Sequence, residues 1–292
     1  MQPENPNSSR RAMVGGLATG LLGAAIVPAS AAAAPAGGNA QGTPASAPDV
    51  PLLDPRTAYK QPPFETQQQP WPGLTGKMKP RPDHGETSYK GSGRLKGRKA
   101  VLIPGDLKDE AFCRRLVADA ARDLGGLDIV VNNAARQFSR KSILDLTTAE
   151  FDETYKTNVY ATFWVTKAAV PLLKPGATII NTTSVQAYDP SENLLDYAST
   201  KAAIMNFSKG LAKQLAPQGI RVNAVAPGPF WTPLQVTGGQ PPEKLPEFGA
   251  DSPLKRPGQP AELAAVYVLL ASNESSYATG QVYAAVGGAG GP

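Results

Sequence analysis

From residue 98 onward the chain alternates two hydrophobic periods. Short, mostly apolar runs cover 100–104, 127–131, 177–183, 221–226 and 281–286. Between them, over about 107–124, 147–173, 194–215 and 260–271, apolar residues recur three and four apart. The first pattern is that of strands buried on both faces, the second that of helices. Thr147 and Glu150 have the spacing of a capping box where the second helix opens. Alternation of this kind predicts an α/β chain: a doubly wound parallel sheet of about five strands covered on both faces. Ligands of such sheets sit beyond the carboxyl ends of the strands. Asn132-Asn133, Ser184 and Pro227-Gly228 all fall at those ends.

Upstream the periodicity disappears. Residues 35–97 are rich in proline, carry three successive glutamines (Gln67 to Gln69) and cannot build a core of their own. They read as an extended tail ahead of the domain at 98–292. Pro62-Pro63-Phe64 and Pro70-Trp71-Pro72 are aromatic anchors that fit a domain surface or a partner subunit. Residues 1–34 read as an export signal. Ser9-Arg10-Arg11 precedes an Ala/Gly-rich apolar run, and Ala29-Ser30-Ala31 offers a cleavage site. The paired arginines resemble a twin-arginine signal, which predicts export to the periplasm, with a cytoplasmic chain as the alternative. The run is long enough to span a bilayer, but Pro28 and its small residues favour cleavage, leaving no stable membrane association.

Composition narrows the picture. A chain of 292 residues with 41% apolar content can bury one sizeable core. The net charge of +5 is spread without a Lys/Arg run, so no nucleic-acid footprint is indicated. Cys113 is the single cysteine and His84 the single histidine. That excludes an intrachain disulfide and a cysteine-based metal cluster, and no metal-ligand spacing is present.

The candidate chemistry lies in Tyr197-Ala198-Ser199-Thr200-Lys201, with Ser184 thirteen residues ahead. Tyr197 and Lys201 share one face of a helix. A phenol titrates near 10 unperturbed, and a neighbouring ammonium lowers that value. Such a phenol can exchange a proton in step with hydride transfer at carbon, while the Ser184 hydroxyl holds the substrate oxygen. Ser184 has no histidine near it, so a hydrolase triad is unsupported.

Ser184, Tyr197 and Lys201, with Asn158 and Asn132-Asn133-Ala134-Ala135 upstream, resemble the short-chain dehydrogenase/reductase family. Residues 82–97 resemble the lead-in of its glucose or ribitol dehydrogenase-like branch. The resemblance implies a Rossmann-like fold and an NAD- or NADP-dependent oxidoreductase acting on an alcohol or carbonyl, with a sugar or polyol as the candidate substrate, and working as a homo-oligomer. It makes Tyr197 the acid/base, Lys201 the group that tunes it and grips the nicotinamide ribose, Ser184 the substrate anchor and Asn158 part of a proton relay. Asn133 would lie by the adenosine and Asp106 by the adenine. The backbone at Pro227-Gly228 and Thr232 would meet the nicotinamide, and 234–247 would be the substrate loop, a mobile lid.

One part of the family pattern is missing. Its glycine-rich T-G-x-x-x-G-x-G turn after a first strand is not found in the chain. Residues 98–107 resemble the family's third strand and the loop after it. A segment of roughly fifty residues, two strands and two helices, therefore reads as deleted between Gly97 and Arg98, leaving about five strands instead of seven. The expectation is that 100–104 fills the vacant slot beside 127–131, as the right-handed crossover permits. The turn after it would then carry Asp106 as N-cap with Asp109 and Glu110 behind, a poor seat for a pyrophosphate. The NAD/NADP selector falls in the lost part. The alternative function is a catalytically silent relative with only a structural or oligomerisation role.

Overall fold

The structure, a computed structural model, describes residues 53–291. The signal expected over 1–34 lies outside the described residues, as does the start of the tail, and no described helix is long and apolar enough to cross a membrane. The strands are β1 Leu127–Asn132, β2 Leu173–Thr182, β3 Arg221–Pro227 and β4 Val282–Ala285. They form one parallel sheet in the order β1-β2-β3-β4. The helices are α1 Glu110–Leu124, α2 Thr148–Tyr155, α3 Ala161–Ala169, α4 Leu195–Leu215 and α5 Pro260–Ala271. The capping box is present, with Thr147 accepting from Glu150 N and Glu150 reaching back.

Alternate strand residues face opposite layers. Val130, Ile179 and Val222 pack with Val117 of α1, Ala169 of α3 and Ala212 and Leu215 of α4. Ile180 and Val225 face the other way, onto Leu263, Val266, Tyr267 and Leu270 of α5. Burying each of these large side chains stabilises the fold by about 1.5–3 kcal/mol.

Among the described residues the sheet has four strands where about five were expected. Residues 100–104 form no strand: Val101 is 40% and Leu102 92% exposed, and β1 is an edge. Arg98 pairs with Asp128 of β1, so the chain starts beside the sheet and then leaves it. An apolar run becomes a strand only if a neighbour takes up its amides and carbonyls, and Pro104 has no amide to give. The cap of α1 also differs. Asp106 closes a local turn by accepting from Lys108 N (2.9 Å), and Asp109 is the N-cap, accepting from Ala111 N (2.8 Å).

The tail residues from 53 to 84 run as a strap across the end of the body that carries 229–261. Phe64 is buried with Met78, Trp231, Val236 and Leu245, and its ring lies 4.6 Å from that of Trp231. Phe64 N donates to Pro246 O (2.8 Å), Gln69 N to Val236 O (2.9 Å) and Trp231 Nε1 to Pro80 O (2.7 Å). Farther along, Ala261 N donates to Asp83 O and Asp83 N to Gln259 Oε1. The Arg256 guanidinium, 3% exposed, donates to Pro55 O and to both oxygens of Glu262.

Candidate active site

A cavity of about 870 Å³ opens beyond the carboxyl ends of β1, β2 and β3. Ser184, Tyr197, Lys201, Asn133, Pro227, Gly228 and Thr232 all line it. β2 ends at Thr182, and Ser184 caps a single 3-10 turn, Val185–Ala187, by accepting from Gln186 N. Tyr197 and Lys201 lie one turn apart near the start of α4, both buried, with the Lys201 ammonium 5.4 Å from the phenol ring centre. Lys201 Nζ donates to Thr182 O (2.8 Å), and Thr183 Oγ1 donates back to Lys201 O (2.7 Å), so the end of β2 and the start of α4 hold each other. Asn181 extends this seam below the site, donating to Ser208 of α4 and accepting from Asn132 of β1.

The other predicted residues sit elsewhere. Asn158 is fully buried, does not line the cavity, and lies in a π turn, Lys156–Tyr160, between α2 and α3. Its Oδ1 accepts from Arg136 N (2.7 Å), and its Nδ2 donates to Arg136 O and Thr200 Oγ1 (both 3.0 Å). It thereby anchors the loop that carries Asn133, Ala134, Ala135 and Gln137 into the cavity wall. The extra residue of a π turn lets an interior asparagine bond outward without breaking the helix. Asp106 is exposed near Lys108, outside the cavity.

Burial governs the two central groups. The Tyr197 phenol is pushed up to about 12, with the Ser184 hydroxyl working against that rise. The Lys201 ammonium is pulled down to about 7 by the same loss of water. The lowering of Tyr197 expected from its lysine is not found: desolvation sets the direction of the shift, and the group that works against it is Ser184. Tyr267, from α5, shares a 2.6 Å hydrogen bond with Thr182 Oγ1, which donates to Asn133 Oδ1.

Sequence reasoning missed Tyr267 and Gln137 as cavity residues, and it missed Trp71 and His84 of the strap. A lone tyrosine hydroxyl within the apolar α5 was the available signal for the first. The Pro-Trp-Pro motif marked an anchor but not its target. The segment 234–247, expected to be a mobile substrate loop, is packed down rather than free: Val236 and Leu245 lie in the cluster with Phe64.

Of the residues expected to hold the family's dinucleotide, Lys201, Tyr197 and Thr232 line one cavity with Ser184. Among the described residues no glycine-rich turn joins a strand to a helix N-terminus, where a pyrophosphate would sit; Gly287, Gly288, Gly290 and Gly291 follow β4, but no described helix comes after them. At the turn before α1, a Cβ on Gly105 would lie 2.0 Å from the Phe112 ring, so that concavity is already filled by a side chain. The residues present do not fit the whole cofactor.

A family model described as enoyl-(acyl carrier protein) reductase matches residues 86–289. The uncharacterized oxidoreductase YghA of Escherichia coli (strain K12) is 48% identical over 287 residues, covering 81% of this chain and 98% of that protein. The glucose and ribitol dehydrogenase of Daucus carota is 43% identical over 189 residues, 65% of each chain. Among solved structures, a short chain dehydrogenase from Burkholderia cenocepacia J2315 in complex with NADP superposes with a TM-score of 0.61 at 32% identity, covering 66% of this chain and 77% of that one. Together with the parallel sheet and the Ser184, Tyr197 and Lys201 cluster at its carboxyl end, these matches establish that the chain belongs to the short-chain dehydrogenase/reductase family of oxidoreductases.

Proposed function

We propose that the chain keeps the alcohol- and carbonyl-binding end of an NAD(P)-dependent oxidoreductase site but holds a dinucleotide far more weakly than a family member with a complete sheet. Ser184, Tyr197 and Lys201 gathered in one cavity carry the first half of this reading. Ser184 and the protonated Tyr197 donate hydrogen bonds to the oxygen of a bound carbonyl; on reduction Tyr197 gives its proton to that oxygen, leaving the phenolate, and on oxidation it takes the proton back. Lys201, held by Thr182 O, keeps a cationic donor beside the phenol below about pH 7. When bound, a nicotinamide cofactor supplies or accepts the hydride.

The substrate class is a neutral, hydroxyl-bearing compound such as a sugar or polyol. Among the described residues no arginine, aspartate or glutamate lines the cavity, so a substrate carboxylate or phosphate finds no bidentate partner. Glutamines 137, 186, 235 and 240 and the hydroxyls of Ser184 and Thr232 supply neutral donors and acceptors instead. The Daucus carota relative's name points the same way.

The weak dinucleotide seat follows from a shortened sheet. The aligned stretch with the Escherichia coli relative takes in 81% of 292 residues, about 237, against 287 aligned positions. About 50 positions of that alignment thus have no counterpart in this chain, and among the described residues β1 has no outer neighbour. This supports the deletion before Arg98 and the catalytically silent alternative together.

The test is to titrate NADH and NADPH separately into the folded full chain and follow their fluorescence. No saturation up to millimolar cofactor is expected. Saturable micromolar binding of either would overturn the reading and would also name the preferred cofactor.

A further inference from the structure

We propose that the strap belongs to the substrate site: Trp71 and His84 form the outer wall of the cavity and determine which substrates fit against Ser184 and Tyr197. What enters rests on the alcohol and carbonyl reading above; where the wall stands does not.

Both residues precede residue 86, where the family model begins, yet they fall inside the 81% of the chain that aligns with the Escherichia coli relative, so the wall lies outside the core of the family but within that alignment. It is nevertheless firmly built. The Gln69 side chain closes a loop over 69–74, accepting from Leu74 N (2.7 Å) and donating to Leu74 O (3.2 Å). Gln69 N is bonded in turn to Val236 O of the substrate loop. At the loop tip, a Cβ on Gly73 would lie 2.5 Å from Thr237 Cγ2 and 3.0 Å from Pro233 Cβ, so the tip is seated on 233–237 without a gap. Trp71 lines the cavity and is still 48% exposed, which puts it at the mouth. His84 is likewise exposed and lining, with Nε2 held 3.2 Å from Thr75 Oγ1. Asp83 next to it is tied down by Tyr59, Gln259 and Ala261.

The chemistry of the pair suits the proposed substrates. An indole offers a flat apolar face to the C–H face of a sugar or to the hydrocarbon part of an aldehyde, and has an N–H at its edge. The imidazole offers a second ring nitrogen to a hydroxyl. The substrate loop, bonded to the strap through Val236 and Pro246, cannot swing away without breaking those contacts.

The first experiment needs no substrate. In the full chain carrying Ser184→Cys, a bimane reagent labels position 184. The other thiol, Cys113, is fully buried and is pushed up to about 11 by that burial. Tryptophan quenches bimane on contact, and neither Trp164 nor Trp231 lines the cavity. Adding Trp71→Phe is expected to raise the emission at least twofold; unchanged emission overturns the proposal. In the second experiment, saturation-transfer NMR on otherwise native full chain measures binding of ribitol, glucose, propanal and benzaldehyde. Trp71→Ala or His84→Ala is expected to change at least one affinity fivefold and reorder the series. Equal affinities in wild type and both variants also overturn it. Relief of quenching with no compound bound supports the wall and counts only against the substrate class proposed above.

Discussion

Replacing Asn158 by alanine tests whether the π turn serves the site by holding a loop rather than by touching a ligand. The side chain makes three hydrogen bonds at 2.7–3.0 Å, two of them to the backbone of Arg136, from a fully buried position. Each is worth about 1 kcal/mol net, and the abandoned partners add a desolvation cost, so Asn158→Ala is expected to lose about 3 kcal/mol. For a unit of this size that corresponds to a fall in Tm of about 6–12 °C. Urea unfolding followed by circular dichroism and by calorimetry measures both. Asn158→Asp sharpens the test. A carboxylate there still accepts from Arg136 N but has nothing to donate to Arg136 O and Thr200 Oγ1. Burial raises the pKa of such a carboxyl, so the folded state takes up the proton first, and stability falls as pH rises from the unfolded value through the raised one. The aspartate variant is therefore expected to be closer to wild type at pH 5 than at pH 8. A loss under 1 kcal/mol for Asn158→Ala, with unchanged Tm, refutes the clamp.

Two further outcomes follow from buried charge. Lys201 is pulled down from 10.5 to about 7 in the folded chain, so between those values the unfolded chain binds more protons and stability rises with pH, by up to about 1.4 kcal/mol per unit. Urea midpoints are expected to climb from pH 7 to 9 in wild type and to stay flat in Lys201→Met; equal slopes count against the assignment. Tyr197, raised to about 12, works in the opposite sense only above pH 10, outside that window. Arg256→Met takes the guanidinium from Glu262, which keeps only Gln259 N, and from the carbonyls of Pro55 and Pro257, at a cost of about 2–4 kcal/mol. Hydrogen exchange should then show early opening of 53–64; protection unchanged from wild type would rule out Arg256 as the strap's anchor.

Much of this fold was legible because the strands announce themselves by full apolarity and the helices by caps. The runs at 127–131, 177–183, 221–226 and 281–286 all became strands, and the capping pair at Thr147 and Glu150 formed. The run at 100–104 did not become a strand even though the outer edge of β1 lies beside Arg98, because pairing is decided by where the chain runs, which no local pattern encodes. The cluster of Ser184, Tyr197 and Lys201 was legible from its spacing at a strand end and a helix face taken together with the family resemblance. Its electrostatics were not, since burial depends on the whole fold and reversed the expected shift of Tyr197. Trp71 and His84 were illegible as site residues because a proline-rich segment has no periodicity to say which surface it will cross.

The outer edge of β1 bears on how safely the chain folds. A strand with no neighbour on one side leaves amides and carbonyls free to template another extended chain, and a parallel sheet is slow to complete. Val131 at 45% exposure makes that edge sticky as well as hydrogen-bond hungry. Asp128, the one charged residue within β1 and exposed, stands there as a gatekeeper, its carboxylate engaged by Arg98. In a complete sheet this position would be ordinary. Among the described residues β1 has no outer neighbour, so the Asp128 carboxylate is what opposes self-association at that edge, and an apolar residue in its place would remove the gatekeeper.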